Sequence, residues 1–260
     1  MNHETSVLLL HWFWPAFFTL FGAFMWWRPP VDASCAVCTA GVDDSDTVSR
    51  IRRVWSKRRE TEHISTGIRL LPVAASFAFA LVTAFTPGSN GIFYGALMLV
   101  MSASAAGAYL QLRNSFPVRV AVLQQRKPGS VVPFPVFALI ALQGIFALVA
   151  LSQPGLDTKL GAMFVCLSSL FCTWLAWRVT QMPALLAGDD IAIEQFVDNR
   201  LRFQRAASIL IYASVQSFVF LSFARAPDWS VGATGLLWMC YSAWYLVRMF
   251  RKQDLTQAPA

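Results

Sequence analysis

The sequence predicts an all-α protein: a polytopic bundle of about seven transmembrane helices, in which three helical hairpins can be read as a repeat. Three observations predict it. The 260 residues are 56% hydrophobic and 13% charged, where a soluble domain carries about a quarter charged residues. The apolar residues fall in long blocks with few or no charges, and about 18 such residues suffice for a membrane helix. The basic residues are unevenly placed. Of 21 Lys and Arg, only Lys159 and Arg225 fall on one side of the threading that follows. Lys and Arg beside spans stay cytoplasmic, so that side is the outer one.

The first span is expected at residues 7–27, with Trp12 and Trp14 at one end and Trp26 and Trp27 at the other, as interfacial belts are. Pro15 predicts a kink. A signal peptide would need a basic start, and residues 1–6 carry no Lys or Arg. The expectation is an uncleaved span with its N-terminus outside. Residues 28–67 are then cytoplasmic. They contain Asp43, Asp44 and Asp46, then the run Arg50–Arg59, with basic Arg50, Arg52, Arg53, Lys57, Arg58 and Arg59. Val48, Ile51 and Trp55 recur at helical spacing, and acid before base suits the helix dipole.

Further spans are expected at 68–85, 91–112, 131–151, 159–177, 206–224 and 231–247, with cytoplasmic segments 113–130 and 178–205. The third span opens with the pair Gly91 and Gly95. It continues through Ser102 and Gly107 in a run of small residues that lets a neighbouring helix approach closely. The last six spans pair as hairpins, each with an outer proline: Pro87, Pro154 and Pro227. Each returning helix places an aromatic four residues before an arginine: Tyr109 and Arg113, Trp174 and Arg178, Trp244 and Arg248. An aromatic belt and a basic stop at the end of any returning helix explain part of this pattern.

The second acidic-to-basic segment runs through Asp189, Asp190, Glu194 and Asp198 to Arg200, Arg202 and Arg205. Its apolar positions Ile193, Phe196, Val197 and Leu201 line one face. That face needs a cover, either the other amphipathic segment or the lipid interface. The charges are expected to point to the cytosol or to head groups. The run Arg50–Arg59 is expected to meet anionic membrane lipid, and Phe196 and Leu201 to dock on protein.

The stretch Ala187-Gly-Asp-Asp through Val197-Asp-Asn-Arg-Leu-Arg202, leading into a span, resembles a segment of multi-pass actinobacterial membrane proteins of unassigned function. The resemblance covers about a quarter of the chain. It implies a bacterial plasma membrane and supplies no activity and no catalytic residue.

Few residues carry a chemical vocabulary. Cys35 and Cys38 form a CxxC pair that can hold a metal or cycle as a dithiol. A zinc site needs two more ligands, and His63 is the only nearby cytoplasmic histidine; a homo-oligomer could complete a site across a symmetry axis. Incidental thiols are the plainer reading. His3 and His11 invite a haem or copper ligand, but His11 among tryptophans also reads as an interfacial residue. Cys166, Cys172 and Cys240 fall within spans, where Cys is a small hydrophobe. No ionisable side chain lies mid-span, although ion-coupled transporters usually need one. Gln143 and Gln216 are the main mid-span polar groups, and interhelical hydrogen bonding is their expected role. Asp189, Asp190, Glu194 and Asp198 offer a divalent-ion site, but charge complementing a helix start accounts for them better. Walker, HExxH and GxSxG motifs are absent.

No cofactor, no catalytic residue and no nucleic-acid partner are expected. The net charge of +7 sits beside spans and no nucleic-acid-binding motif accompanies it. The expected function is that of a non-enzymatic membrane subunit, a partner of other membrane subunits or of its own copies, in an assembly such as a transport system. The alternatives are a stand-alone transporter or channel for an uncharged or amphipathic solute, and a membrane enzyme acting on lipid.

Overall fold

The computed structural model describes residues 45–60, 131–182, 191–224 and 226–250, with Leu70, Val73, Ala74, Phe77, Ala78, Leu81, Ser102, Ala106, Tyr109 and Leu110. The described residues are helical with no strand. We number the helices α1 (Ser45–Glu60), α2 (Phe134–Phe146), α3 (Leu156–Gln181), α4 (Ile191–Phe223) and α5 (Asp228–Phe250). A 3-10 turn, Ala147–Ser152, extends α2. Three helical stretches are long and apolar enough to cross a membrane: Phe134–Ser152, Leu156–Gln181 and Ile191–Ser222. This is the make-up of a membrane protein. α5 is not among the three; its Trp and Tyr residues and Arg248 make it less apolar. The expected spans at 7–27, 68–85 and 91–112 lie outside the described residues, apart from the scattered positions named above.

Two of the expected hairpins are present. α2 and α3 are joined across Gln153, Pro154 and Gly155. Gly155 has φ +109°, a left-handed conformation open to glycine at little cost. Its carbonyl accepts the Lys159 amide at 3.3 Å, and Asp157 sits in the first turn of α3, where the dipole favours acid. At the other end, Met182 is extended, as a residue before proline tends to be, and Pro183 follows it. α4 and α5 are joined by a turn of four residues, 224–227. The Ala226 amide donates to the Leu221 carbonyl at 3.1 Å, and the Ser230 amide and hydroxyl both return to the Pro227 carbonyl.

α4 is the central element, touching α1, α2, α3 and α5. Near the hairpin turns Ala147, Ala150, Ala162, Val165, Phe220 and Leu221 form one core. Towards the other end Ile140, Cys172, Ala176, Ala206, Ala207 and Leu210 form another. Small residues recur on the packed faces, as close helix contact in a membrane requires. Polar groups join the two cores. The fully buried Gln143 amide donates to the Ser214 carbonyl at 2.9 Å and the Thr234 carbonyl at 2.8 Å. Its own carbonyl accepts from Ser214 Oγ at 2.8 Å. One side chain of α2 thereby holds α4 and α5. Three such bonds are worth roughly 2 kcal/mol at about 0.6 kcal/mol each. Thr173, Thr234, Ser208 and Ser222 bond the carbonyl four residues back, which satisfies them within their own helix.

Gly144 lies beside Gln143 where α2 comes close to α3. A Cβ there would fall 2.7 Å from Ser169 Oγ and 2.8 Å from Ser169 Cβ. Ser169 is itself held, donating to the Ala213 carbonyl of α4 at 3.0 Å. Gly144→Ala is therefore expected to push α2 away from α3 and cost about 1–3 kcal/mol, the usual range for overpacking. Gly232, with nothing within 4 Å, is the matched control. Thermal unfolding of the two detergent-solubilised variants checks the difference, and equal midpoints would refute it.

Candidate functional site: the arginine end of the bundle

α4 holds 33 residues, about 50 Å at 1.5 Å per residue, against about 30 Å for the hydrocarbon core of a bilayer. No Gly or Pro interrupts it. Its first turns therefore project beyond the apolar stretch that begins at Ala206, and the candidate site is built around that projection.

The first component is a docked helix. Ile51 and Trp55 of α1 are 0% and 2% exposed. They pack with Ile193, Phe196 and Val197 of α4, and Val54 and Leu201 close the edges. The spacing i, i+4 on α1 and i, i+3, i+4, i+8 on α4 gives each helix one apolar stripe. The two stripes cover each other. The cover that the sequence left open, helix or lipid, is here a helix, and the surface on which Phe196 and Leu201 dock belongs to the same chain. Arg50, Arg52 and Arg53 stay exposed. Arg50 pairs with Asp46 at 2.5 Å on the solvent side, a contact of small energetic weight. Lys57, Arg58 and Arg59 continue α1.

The second component is a pair of buried arginines, and here the structure departs from expectation. The charges of 189–205 were expected to face cytosol or head groups, yet Arg200 and Arg202 are 2% and 8% exposed. Arg202 Nε donates to Asp198 Oδ2 at 2.8 Å and its Nη2 to Asp198 Oδ1 at 3.2 Å, a forked pair. Its Nη1 reaches the Val179 carbonyl at 3.3 Å and the Met182 carbonyl. Those are carbonyls that the end of α3 leaves without helical donors. A cation at a helix C-terminus also complements the dipole. Arg200 lies on the other side of α4, one turn nearer the bundle than Phe196. Its Nη1 donates to the Arg248 carbonyl of α5 at 3.4 Å. The Arg248 guanidinium in turn sits 6.0 Å over the Phe203 ring, within cation–π range. One short stretch of α4 thus anchors the ends of both returning helices.

This corrects two sequence readings. Asp198 is not charge at a helix start. It lies two turns inside α4 and pairs with Arg202, whereas Glu194 does occupy the first turn. The returning helices do not end alike. Arg178 lies 5.9 Å over Trp174, but Arg248 turns to Phe203, and Trp244 packs edgewise on that same ring.

A third group of polar residues lies inside the bundle. Ser102 Oγ is 2.5 Å from Ser168 Oγ and 3.6 Å from Cys172 Sγ, both on α3. Ser102, a small residue expected to pack helices, is thus in contact with α3. Gly91, Gly95 and Gly107 lie outside the described residues, as do Cys35, Cys38, His3, His11, Asp189 and Asp190. Among the described residues no cluster of three His, Cys, Asp or Glu has metal-site geometry. Cys166 and Cys172 are buried and Cys240 is exposed.

Arg200 and Arg202 were missed as anchors because they were counted as positive-inside charges. A signal was present: Asp198 and Arg202 are four apart, the spacing of a helical ion pair. Gly144 was missed because a lone glycine announces a close approach only once its neighbour is known.

No protein-family model, curated protein or solved structure matches this chain.

Proposed function

We propose that the chain is a non-enzymatic integral membrane subunit of a larger membrane assembly, of which a transport system is the favoured kind. It crosses a bacterial plasma membrane seven times, with its N-terminus outside and α1 and the C-terminus in the cytosol. Its last six spans form three repeated hairpins. One observation carries this reading: α1 is fixed on the projecting end of α4, which also anchors α3 and α5, and it holds its basic face away from the bundle. A surface mounted on the element that organises the bundle suits contact with something outside the chain. The polar groups of Gln143 and Ser169 are meanwhile spent on helix–helix bonds.

Affinity purification from native membranes tests the proposal. A second membrane protein should co-purify in stoichiometric yield and dissociate when α1 is undocked by Ile51→Ser. A pure homo-oligomer that transports an uncharged solute in vesicles would replace this reading with that of a stand-alone transporter. Orientation is checked separately. Single cysteines at Ser152 and Asp228, in a cysteine-free background, should react with an impermeant thiol reagent in intact cells, and one at Ser56 should not. Reaction at Ser56 would reverse the topology.

A further inference from the structure

We infer that the exposed basic flanks of α1 form a non-inserting binding surface for anionic phospholipid head groups of the cytoplasmic leaflet. This rests on the topology proposed above and adds the identity of a partner and its mode of binding.

An amphipathic basic helix at a membrane ordinarily sinks its apolar face into the acyl boundary and leaves its charges among the head groups. α1 has no apolar face to spare, because Ile51 and Trp55 are buried against α4. What remains outward is charge. Residues two apart on a helix point about 200° apart, so Arg50 and Arg52 flank the docked stripe on opposite sides. Either flank turned to the bilayer is basic. Arg53 faces away from α4. Asp46 offsets Arg50. Arg52 and Arg53, both exposed, have no ion-pair partner among the described residues.

The height fits. Val197, in the middle of the dock, precedes Ala206 by about 14 Å along the axis of α4. Head groups add about 5–8 Å to each side of the hydrocarbon core. A docked helix with a radius of about 5–6 Å comes to rest just above them, within reach of an arginine side chain and within the Debye length of about 8–10 Å. An anionic leaflet supplies the complementary charge. α4 thus acts as a post that fixes the height of the basic helix, and the bilayer contact is electrostatic alone.

The test uses the full chain in neutral detergent, titrated with short-chain phosphatidylglycerol and, separately, with short-chain phosphatidylcholine. Bound lipid is counted by native mass spectrometry. Phosphatidylglycerol should bind preferentially, and the preference should shrink as salt rises. R52Q/R53Q should lower its affinity on the order of 30-fold, about fivefold for each arginine. Hydrogen exchange of α1 should stay slow in this variant, since the apolar dock is untouched. Equal binding of the two lipids, or a preference unchanged in R52Q/R53Q, would overturn the inference. So would tighter binding of polyglutamate than of phosphatidylglycerol, which would assign the face to an acidic protein segment. The co-purification experiment reads the assembly proposal independently, so a retained subunit with lost lipid preference retires this inference alone.

Discussion

Asp198→Ala should destabilise the protein by about 3–5 kcal/mol, the usual cost of removing one partner of a buried ion pair. Asp198 and Arg202 side chains are only 10% and 9% exposed, so the guanidinium would lose its forked carboxylate partner at a place water reaches poorly. The carbonyls of Val179 and Met182 also accept from it, but a carbonyl carries partial charge only. The melting temperature in detergent should fall on the order of 10 °C, at a few degrees per kcal/mol for a domain of this size. Arg202→Met in the Asp198→Ala background should recover part of the loss, because replacing a whole buried pair by apolar groups is far milder than breaking it. The recovery should be incomplete. Hydrogen exchange should stay fast in the last turn of α3, where the cap is gone. Arg202→Lys should not substitute, since an ammonium lacks the planar fork that meets Asp198 and the two carbonyls together. A single mutant as stable as wild type would mean that the pair is solvated in the folded protein.

The hairpins were legible in the sequence because their determinants are local. Proline at the turns, arginine at the opposite ends and long apolar blocks between them mark the stretches that became α2, α3, α4 and α5. The expected spans 159–177, 206–224 and 231–247 overlap helices that extend beyond them. The sequence reading split α4 into a cytoplasmic segment and a span because polarity changes sharply at Ala206. A helix does not end where polarity changes. It ends where a breaker or a cap ends it, and none stands between Ile191 and Phe223. The fate of the arginines was not legible for the same reason. Span assignment treats Arg200 and Arg202 as charges to be kept in water. Their structural work depends on where α3 and α5 stop, which is a tertiary fact. α1 lies between these cases. Its stripe of Val48, Ile51 and Trp55 was readable, and so was the matching stripe on α4. The choice between helix and lipid as the cover was not, since either would bury the same side chains. The seven-span count and the three-fold repeat rest on the sequence pattern: the first three spans lie outside the described residues apart from scattered positions, and α5 is not among the three helices long and apolar enough to cross a membrane.

Trp55→Ala should release α1 from the bundle. Trp55 is 2% exposed at the centre of the five-residue core it shares with Ile51, Ile193, Phe196 and Val197. Removing a buried tryptophan costs about 3–5 kcal/mol. A contact of this size carries little energy beyond that, so the loss should undock the helix and leave the membrane bundle folded. Amide exchange in residues 45–60 should rise at least 100-fold, while exchange in α3 and α5 stays near wild type. Trp55→Phe separates shape from hydrogen bonding. The indole Nε1 is buried without a hydrogen-bond partner among the described residues, and an unsatisfied donor costs about 1–3 kcal/mol. Phenylalanine removes that donor and keeps most of the apolar area. Trp55→Phe should therefore hold α1 on α4 as tightly as wild type, or tighter, with slow exchange throughout. If Trp55→Phe undocked α1 as Trp55→Ala does, the indole nitrogen would be making a contact that the dock depends on. If neither variant changed exchange, α1 would be held by its basic face, and the division of labour between its two faces would be wrong.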